Sequence, residues 1–196
     1  MCYGYCYFRY DALGESFKES SDTIGRRNVL NNIILIGLSG CGKTCLGNII
    51  SKEEGLNFID LDEYVEKKNN MTIKEMFDIS EKFFRDKESE VVKEASKLKN
   101  TIISTGGGVI KRKDNMDILS KSGCIIFIHR KPENIVNTLD TSNRPLLKDG
   151  KEKLYDLHKE RYELYKKYAH FIIDNNENKE KAIEALKNII STKIHK

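Results

Sequence analysis

The segment Gly37-Leu38-Ser39-Gly40-Cys41-Gly42-Lys43-Thr44 lies between an apolar run, Ile33–Ile36, and a stretch of helical period, Thr44–Glu53. It fits G-x-x-x-x-G-K-[ST], and a strand before with a helix after is the context that motif requires. Glycines at 37, 40 and 42 let the backbone curl so that its N–H groups face a phosphate chain. The dipole of the helix that follows adds positive potential at the same place. On this reading Lys43 reaches the β- and γ-phosphates of a nucleotide, and the Thr44 hydroxyl ligates Mg²⁺.

Outward from that loop the chain alternates between short apolar runs and amphipathic segments. Strands are predicted at Ile33–Ile36, Asn57–Ile59, Thr101–Ser104, Cys124–Ile128 and Phe171–Ile173. Helices are predicted at Leu61–Lys68, Ile73–Phe77, Glu81–Leu98, Asp114–Ser120, Lys153–Tyr168 and Lys179–Ile190, with Pro132 opening another at its first turn. Such alternation implies an α/β fold with a mostly parallel sheet covered on both faces. Ligands of these sheets sit at the carboxyl ends of the strands.

Composition sets the limits. The chain has 196 residues, 39% hydrophobic and 33% charged, enough for one domain with its own core. No apolar stretch approaches the roughly 20 residues of a membrane span. The balance of 34 Lys+Arg against 30 Asp+Glu is too mild, and too scattered, to argue for nucleic acid. Five cysteines at irregular positions do not make a disulfide framework, and the start lacks the pattern of a secretory signal, so the expected compartment is the cytoplasm. Residues 1–30 read as a poorly ordered leader, although Tyr3, Tyr5 and Tyr7 alternate as an edge strand or a partner contact would.

Five further patterns fall at the expected ligand edge. Asp60-Leu61-Asp62 closes the second strand; alternation along an extended segment would point both carboxylates to one side, while capping of a helix is the ordinary alternative. Arg85 and Glu88 share a helix face, where a solvated ion pair is the ordinary explanation. Gly106-Gly107-Gly108 implies a close approach to bare backbone, by a ligand or within a tight turn. Arg144, in Asn143-Arg144-Pro145-Leu146-Leu147, could close over a transferring group, and Arg161 precedes Tyr162 and Tyr165 on the next helix. The histidines (129, 158, 170 and 195) are isolated and carry no ligand spacing.

In this order the pieces resemble the shikimate kinase family: a P-loop, D-x-D, F-R, G-G-G, R-P-L-L, and an Arg followed by L-Y. The resemblance runs from about Asn32 to the C-terminus. It implies a P-loop, nucleoside-monophosphate-kinase-like α/β/α sandwich with a five-stranded parallel sheet and a mobile lid at about 141–153. It further implies transfer of the γ-phosphoryl group of ATP to the 3-hydroxyl of shikimate, a step of chorismate and aromatic amino-acid synthesis, by a Mg²⁺-dependent monomer with no membrane or nucleic-acid partner. By the same resemblance ATP contacts Gly37, Ser39, Gly40, Cys41, Gly42, Lys43, Thr44, Cys45 and Arg144. Asp62 is the base, acting with Lys43 and Arg144, and Thr44 and Asp60 (through water) hold the metal. Asp62, Arg85, Glu88, Gly106, Gly107, Gly108 and Arg161 form the shikimate pocket.

Three departures stand out. Asn137 occupies a position where relatives carry an arginine that packs on adenine; the stretch between Phe77 and Arg85 is one residue short, with Ser80-Glu81 in place of the usual Gly-Glu; and Arg161-Tyr162-Glu163-Leu164-Tyr165 lacks the proline often found before L-Y.

Overall fold

A computed structural model of the chain describes residues 32–137 and 151–194. The expected leader, 1–30, and most of the expected lid, with Arg144, lie outside the described residues.

Five strands, β1 (Asn32–Ile36), β2 (Asn57–Asp60), β3 (Thr101–Ser104), β4 (Gly123–His129) and β5 (Phe171–Asp174), form one sheet in the order β2-β3-β1-β4-β5. Every pairing is parallel. All five residues of the central β1 are buried, as a strand covered on both faces requires. The helices that cover it are α1 (Lys43–Glu53), α2 (Leu61–Asn69), α3 (Ile73–Ile79), α4 (Glu81–Ala95), α5 (Lys113–Ser122), α6 (Pro132–Val136), α7 (Lys151–Tyr168) and α8 (Lys179–Ile194). None of them is long and apolar enough to cross a membrane.

The main core joins the isoleucines of β1, β3 and β4 to Leu46, Leu119, Tyr165 and Leu186 from the helices. A second, smaller cluster (Val65, Met76, Phe84 and Val91) ties α2, α3 and the front of α4 to one another. The part of α4 that bears Arg85 is therefore packed mainly on its neighbouring helices.

Two local expectations are corrected. The last turn of α4 stops at Ala95 instead of Leu98, because the N–H groups of Lys97 and Leu98 bond the carbonyls three residues back, which tightens the coil. Asp60 and Asp62 do not share an extended segment: α2 begins at Leu61, and Oδ1 of Asp60 accepts the Asp62 N–H at 3.0 Å. Asp60 is thus the cap of α2. The substitution at position 80 also has a local account. Ser80 has extended backbone and its hydroxyl caps α4 by accepting the Phe83 N–H at 3.0 Å.

Candidate active site

The strands end together, and the site is built on their carboxyl ends. Gly37, Gly40 and Gly42 have φ of 143°, 83° and 107°, the left-handed region where a side chain is strained. Gly42 is the N-cap of α1, so no side chain caps the first turn of that helix, which also carries no acidic residue. Those N–H groups form an anion site by geometry and dipole together. The Lys43 ammonium donates to the carbonyls of Gly37 and Leu38, each at 2.8 Å, and lies 3.6 Å from the buried Cys41 sulfur. Its charge is therefore held inside the loop.

Thr44 Oγ donates to Asp60 Oδ2 at 2.7 Å and lies 3.4 Å from Ser104 Oγ. Asp60 and Ser104 are register partners on β2 and β3, which explains why their side chains meet. Three hard oxygens suit Mg²⁺, which binds few protein groups and shares its remaining positions with phosphate and water. Among the described residues no cluster of three or more His, Cys, Asp or Glu could hold a metal.

Beside Gly42 opens a cavity of about 140 Å³, lined among others by Cys45, Leu46, Arg130, Asn175 and Lys179. Asn175 Nδ2 donates to the Cys41 carbonyl at 2.8 Å and so ties the end of β5 to the phosphate loop. The buried Nε of Arg130 has no hydrogen-bond partner among the described residues.

The second half of the site gathers around Gly106–Gly108. None of these glycines has a positive φ, so close approach, not backbone freedom, explains them. A Cβ on Gly106 would stand 2.5 Å from Asp62 Oδ1 and 3.3 Å from Glu88 Oε1. One on Gly108 would collide with the Arg85 guanidinium, and one on Gly107 would stand 3.1 Å from the Ser39 nitrogen of the phosphate loop. Arg85 donates to both oxygens of Glu88 at 2.9 Å, with its guanidinium carbon 4.9 Å from the Phe84 ring centre. The expected solvated pair is in fact buried, with 7% of Arg85 and 3% of Glu88 exposed. Burial pushes the Glu88 carboxyl above its ordinary value, and Arg85 opposes that shift.

Arg161 is also buried. Its NH1 donates to the Gly107 carbonyl at 3.2 Å, the same oxygen that accepts the Tyr165 hydroxyl at 2.5 Å. Its Nε has no hydrogen-bond partner among the described residues, Glu160 being 3.9 Å away. A buried guanidinium with a spare donor favours an anion alongside it.

The expected residues thus fall into two adjacent groups, Gly37–Cys45 with Asp60, and Asp62, Arg85, Glu88, Gly106–Gly108 and Arg161; Arg144 lies outside the described residues. Sequence reading did not single out Ser104, Arg130 or Asn175. Ser104 follows from strand register, but the others reach the site from loops whose direction no periodicity reveals. The histidines are also less isolated than their spacing suggests. The rings of His129 and His158 lie 6.3 Å apart beside Tyr162.

A model of the shikimate kinase family matches residues 39–192. The chain belongs to the shikimate kinase family. A shikimate kinase of Clostridium botulinum (strain Alaska E43 / Type E3) is 48% identical over 160 residues, covering 82% of this chain and 97% of the relative. That of Clostridium beijerinckii is 45% identical over the same length. The solved shikimate kinase of Acinetobacter baumannii, in complex with shikimate, superposes with a TM-score of 0.78 at 34% identity, covering 84% of this chain and 95% of that one. Thymidylate kinase of Candida albicans, at 13% identity and a TM-score of 0.55, shares the fold alone. Family membership accounts for the five-stranded parallel sheet of a P-loop α/β fold.

Proposed function

We propose that this chain transfers the γ-phosphoryl group of ATP to the 3-hydroxyl of shikimate, as a cytoplasmic monomer serving aromatic amino-acid synthesis. The observation that carries the reading is the pairing of two buried guanidiniums, Arg85 and Arg161, on adjacent residues of one glycine turn that also touches Asp62 and the phosphate loop.

Shikimate is a small polyol with one carboxylate. Two guanidiniums supply charge-assisted, directional anchoring for that group, and Glu88 keeps Arg85 aimed by holding it with both oxygens. Asp62 then meets the hydroxyls and accepts the proton of the attacking one, on the phosphate-loop side of the pocket. The uncapped first turn of α1 and Lys43 hold the phosphates, with Lys43 exchanging its two loop carbonyls for phosphate oxygens. Ser39, Gly40 and Gly42 offer backbone N–H groups to the same chain, the Cys41 N–H being held by the Leu38 carbonyl at 3.2 Å. The cavity beside Gly42 takes the base, where Cys45 lines one wall and Arg130 compensates for Asn137. Mg²⁺, bound by Thr44 and by Asp60 through water, would neutralise charge on the phosphates. Arg144 adds a further cation at the transferring group. Such chemistry depends mainly on positioning and charge stabilisation, and this chain's residues are arranged for both.

The test is ADP release from Mg·ATP with purified protein, alone, with shikimate, and with gluconate as a control polyol acid. Strong stimulation by shikimate alone is expected. Bound ATP without shikimate-dependent turnover would overturn the proposal.

A further inference from the structure

We propose that Arg112 is a positioning residue for the acceptor pocket, fixing where Arg85 stands relative to the glycine turn. The inference rests on the reading of Arg85 as an anchor for the substrate carboxylate.

Arg112 occupies the N-cap position of α5, where a short polar side chain would normally satisfy the first N–H groups, yet it makes no capping bond there. Its guanidinium is spent on α4. NH1 donates to the backbone carbonyl of Arg85 at 2.9 Å and to Ser89 Oγ at 3.1 Å, and NH2 donates to Asp86 Oδ1 at 2.7 Å. Ser89 Oγ, one turn along the same helix, donates to that Arg85 carbonyl at 2.9 Å, and Arg112 is the group that grips it from outside α4.

This grip matters because of how α4 is supported. Its front, including Phe84, belongs to the small cluster with Val65, Met76 and Val91, apart from the main core on the sheet. Apolar packing there sets α4 against α2 and α3 and says little about its distance from Gly108. Arg112 follows that turn closely in sequence, so its three donors make a short, directional link between the glycines and the helix. Lys111 adds a weaker link through Glu81, at 3.0 Å. Because Gly108 has no room for a Cβ beside the Arg85 guanidinium, a small shift of α4 would change what Arg85 presents to the pocket. The phosphate loop is built on β1 and α1 and does not depend on this link.

The variants Arg112→Met and Arg112→Lys are compared with wild type for the KM of shikimate, the KM of ATP and kcat. In Arg112→Met the shikimate KM should rise about tenfold, as loss of a charged hydrogen-bonding group allows, with the ATP KM unchanged. Arg112→Lys should recover part of the loss, since one ammonium can serve only some of the three acceptors. In an Arg85→Met background, Arg112→Met should add no further rise, because the residue acts through Arg85. An unchanged shikimate KM, an equal rise in both KM values, or fully multiplicative effects in the double variant would each overturn the proposal. Should Arg112→Met fail to fold, Asp86→Asn is measured in its place, and an unaltered shikimate KM there counts against the inference. Wild type in the same assay separates the two readings: if it is idle with shikimate, the anchoring role of Arg85 fails first and the inference with it.

Discussion

Tyr165 donates its hydroxyl hydrogen to the carbonyl of Gly107 at 2.5 Å from a side chain with 1% of its surface exposed. This bond fastens α7 to the glycine turn, and burial holds the phenol well above its ordinary pKa, so it remains a donor throughout the working range. Tyr165→Phe removes the bond but leaves Gly107 its partner Arg161. We expect a loss of about 1 kcal/mol, read as a lower urea midpoint at unchanged slope. An unaltered midpoint would mean that the hydroxyl contributes nothing to the fold.

Asp62 stands beside the glycine turn, its Oδ1 2.5 Å from where a Cβ on Gly106 would lie. Asp62→Asn preserves shape and removes the proposed base. Turnover should fall by about 100-fold or more, while ATP affinity measured by calorimetry stays the same. Turnover near that of wild type would remove Asp62 from the mechanism.

Gly106 and Gly108 are expected to report on different groups. Neither has a positive φ, so alanine is tolerated by the backbone and acts only through its methyl group. In Gly106→Ala the methyl lies within 2.5 Å of Asp62 Oδ1, and kcat should fall. In Gly108→Ala it displaces the Arg85 guanidinium, and the shikimate KM should rise about tenfold. Parallel changes in both variants would argue for a general distortion of the turn.

His170 gives the fold a dependence on pH. Its Nδ1 accepts the Ile125 N–H at 3.0 Å, a bond that needs the neutral ring, and burial lowers its pKa from 6.5. A histidine depressed in the folded state binds fewer protons than the unfolded chain does, so its stabilisation is present above about pH 6.5 and is lost as pH falls. Burial, with His129 alongside, lowers His158 as well. Thermal midpoints should therefore drop between pH 7 and pH 5. His170→Asn, which retains an acceptor that does not titrate, should flatten part of that drop and leave the His158 share. An identical pH profile in the variant would show that His170 is not a source of it.

Residue types and their spacing are enough to determine the parallel α/β class, the phosphate loop and the strand ends that carry ligands. Those features are local: a glycine-rich turn followed by Lys-Thr, apolar runs of strand length and helical periods each arise within about a dozen neighbouring residues. The same locality explains the errors. Asp60 and Asp62 could be placed at the site from the motif, but only the folded chain has α2 starting between them, so that one carboxylate caps the helix and meets Thr44 while the other faces Gly106.

Burial was beyond the reach of spacing. Arg85–Glu88 has the pattern of any surface ion pair, and it became a buried one because Gly108, Phe84 and the glycine turn close around it. Arg112 and Asn175 have no signature of their own. Their importance comes from where the turn after Gly108 and the end of β5 bring them, against α4 and the phosphate loop. The sequence alone determines which chemical groups are available and along which elements they lie. Only tertiary packing decided which of them lose water, and a charge deprived of water must find a partner in the protein or in a ligand.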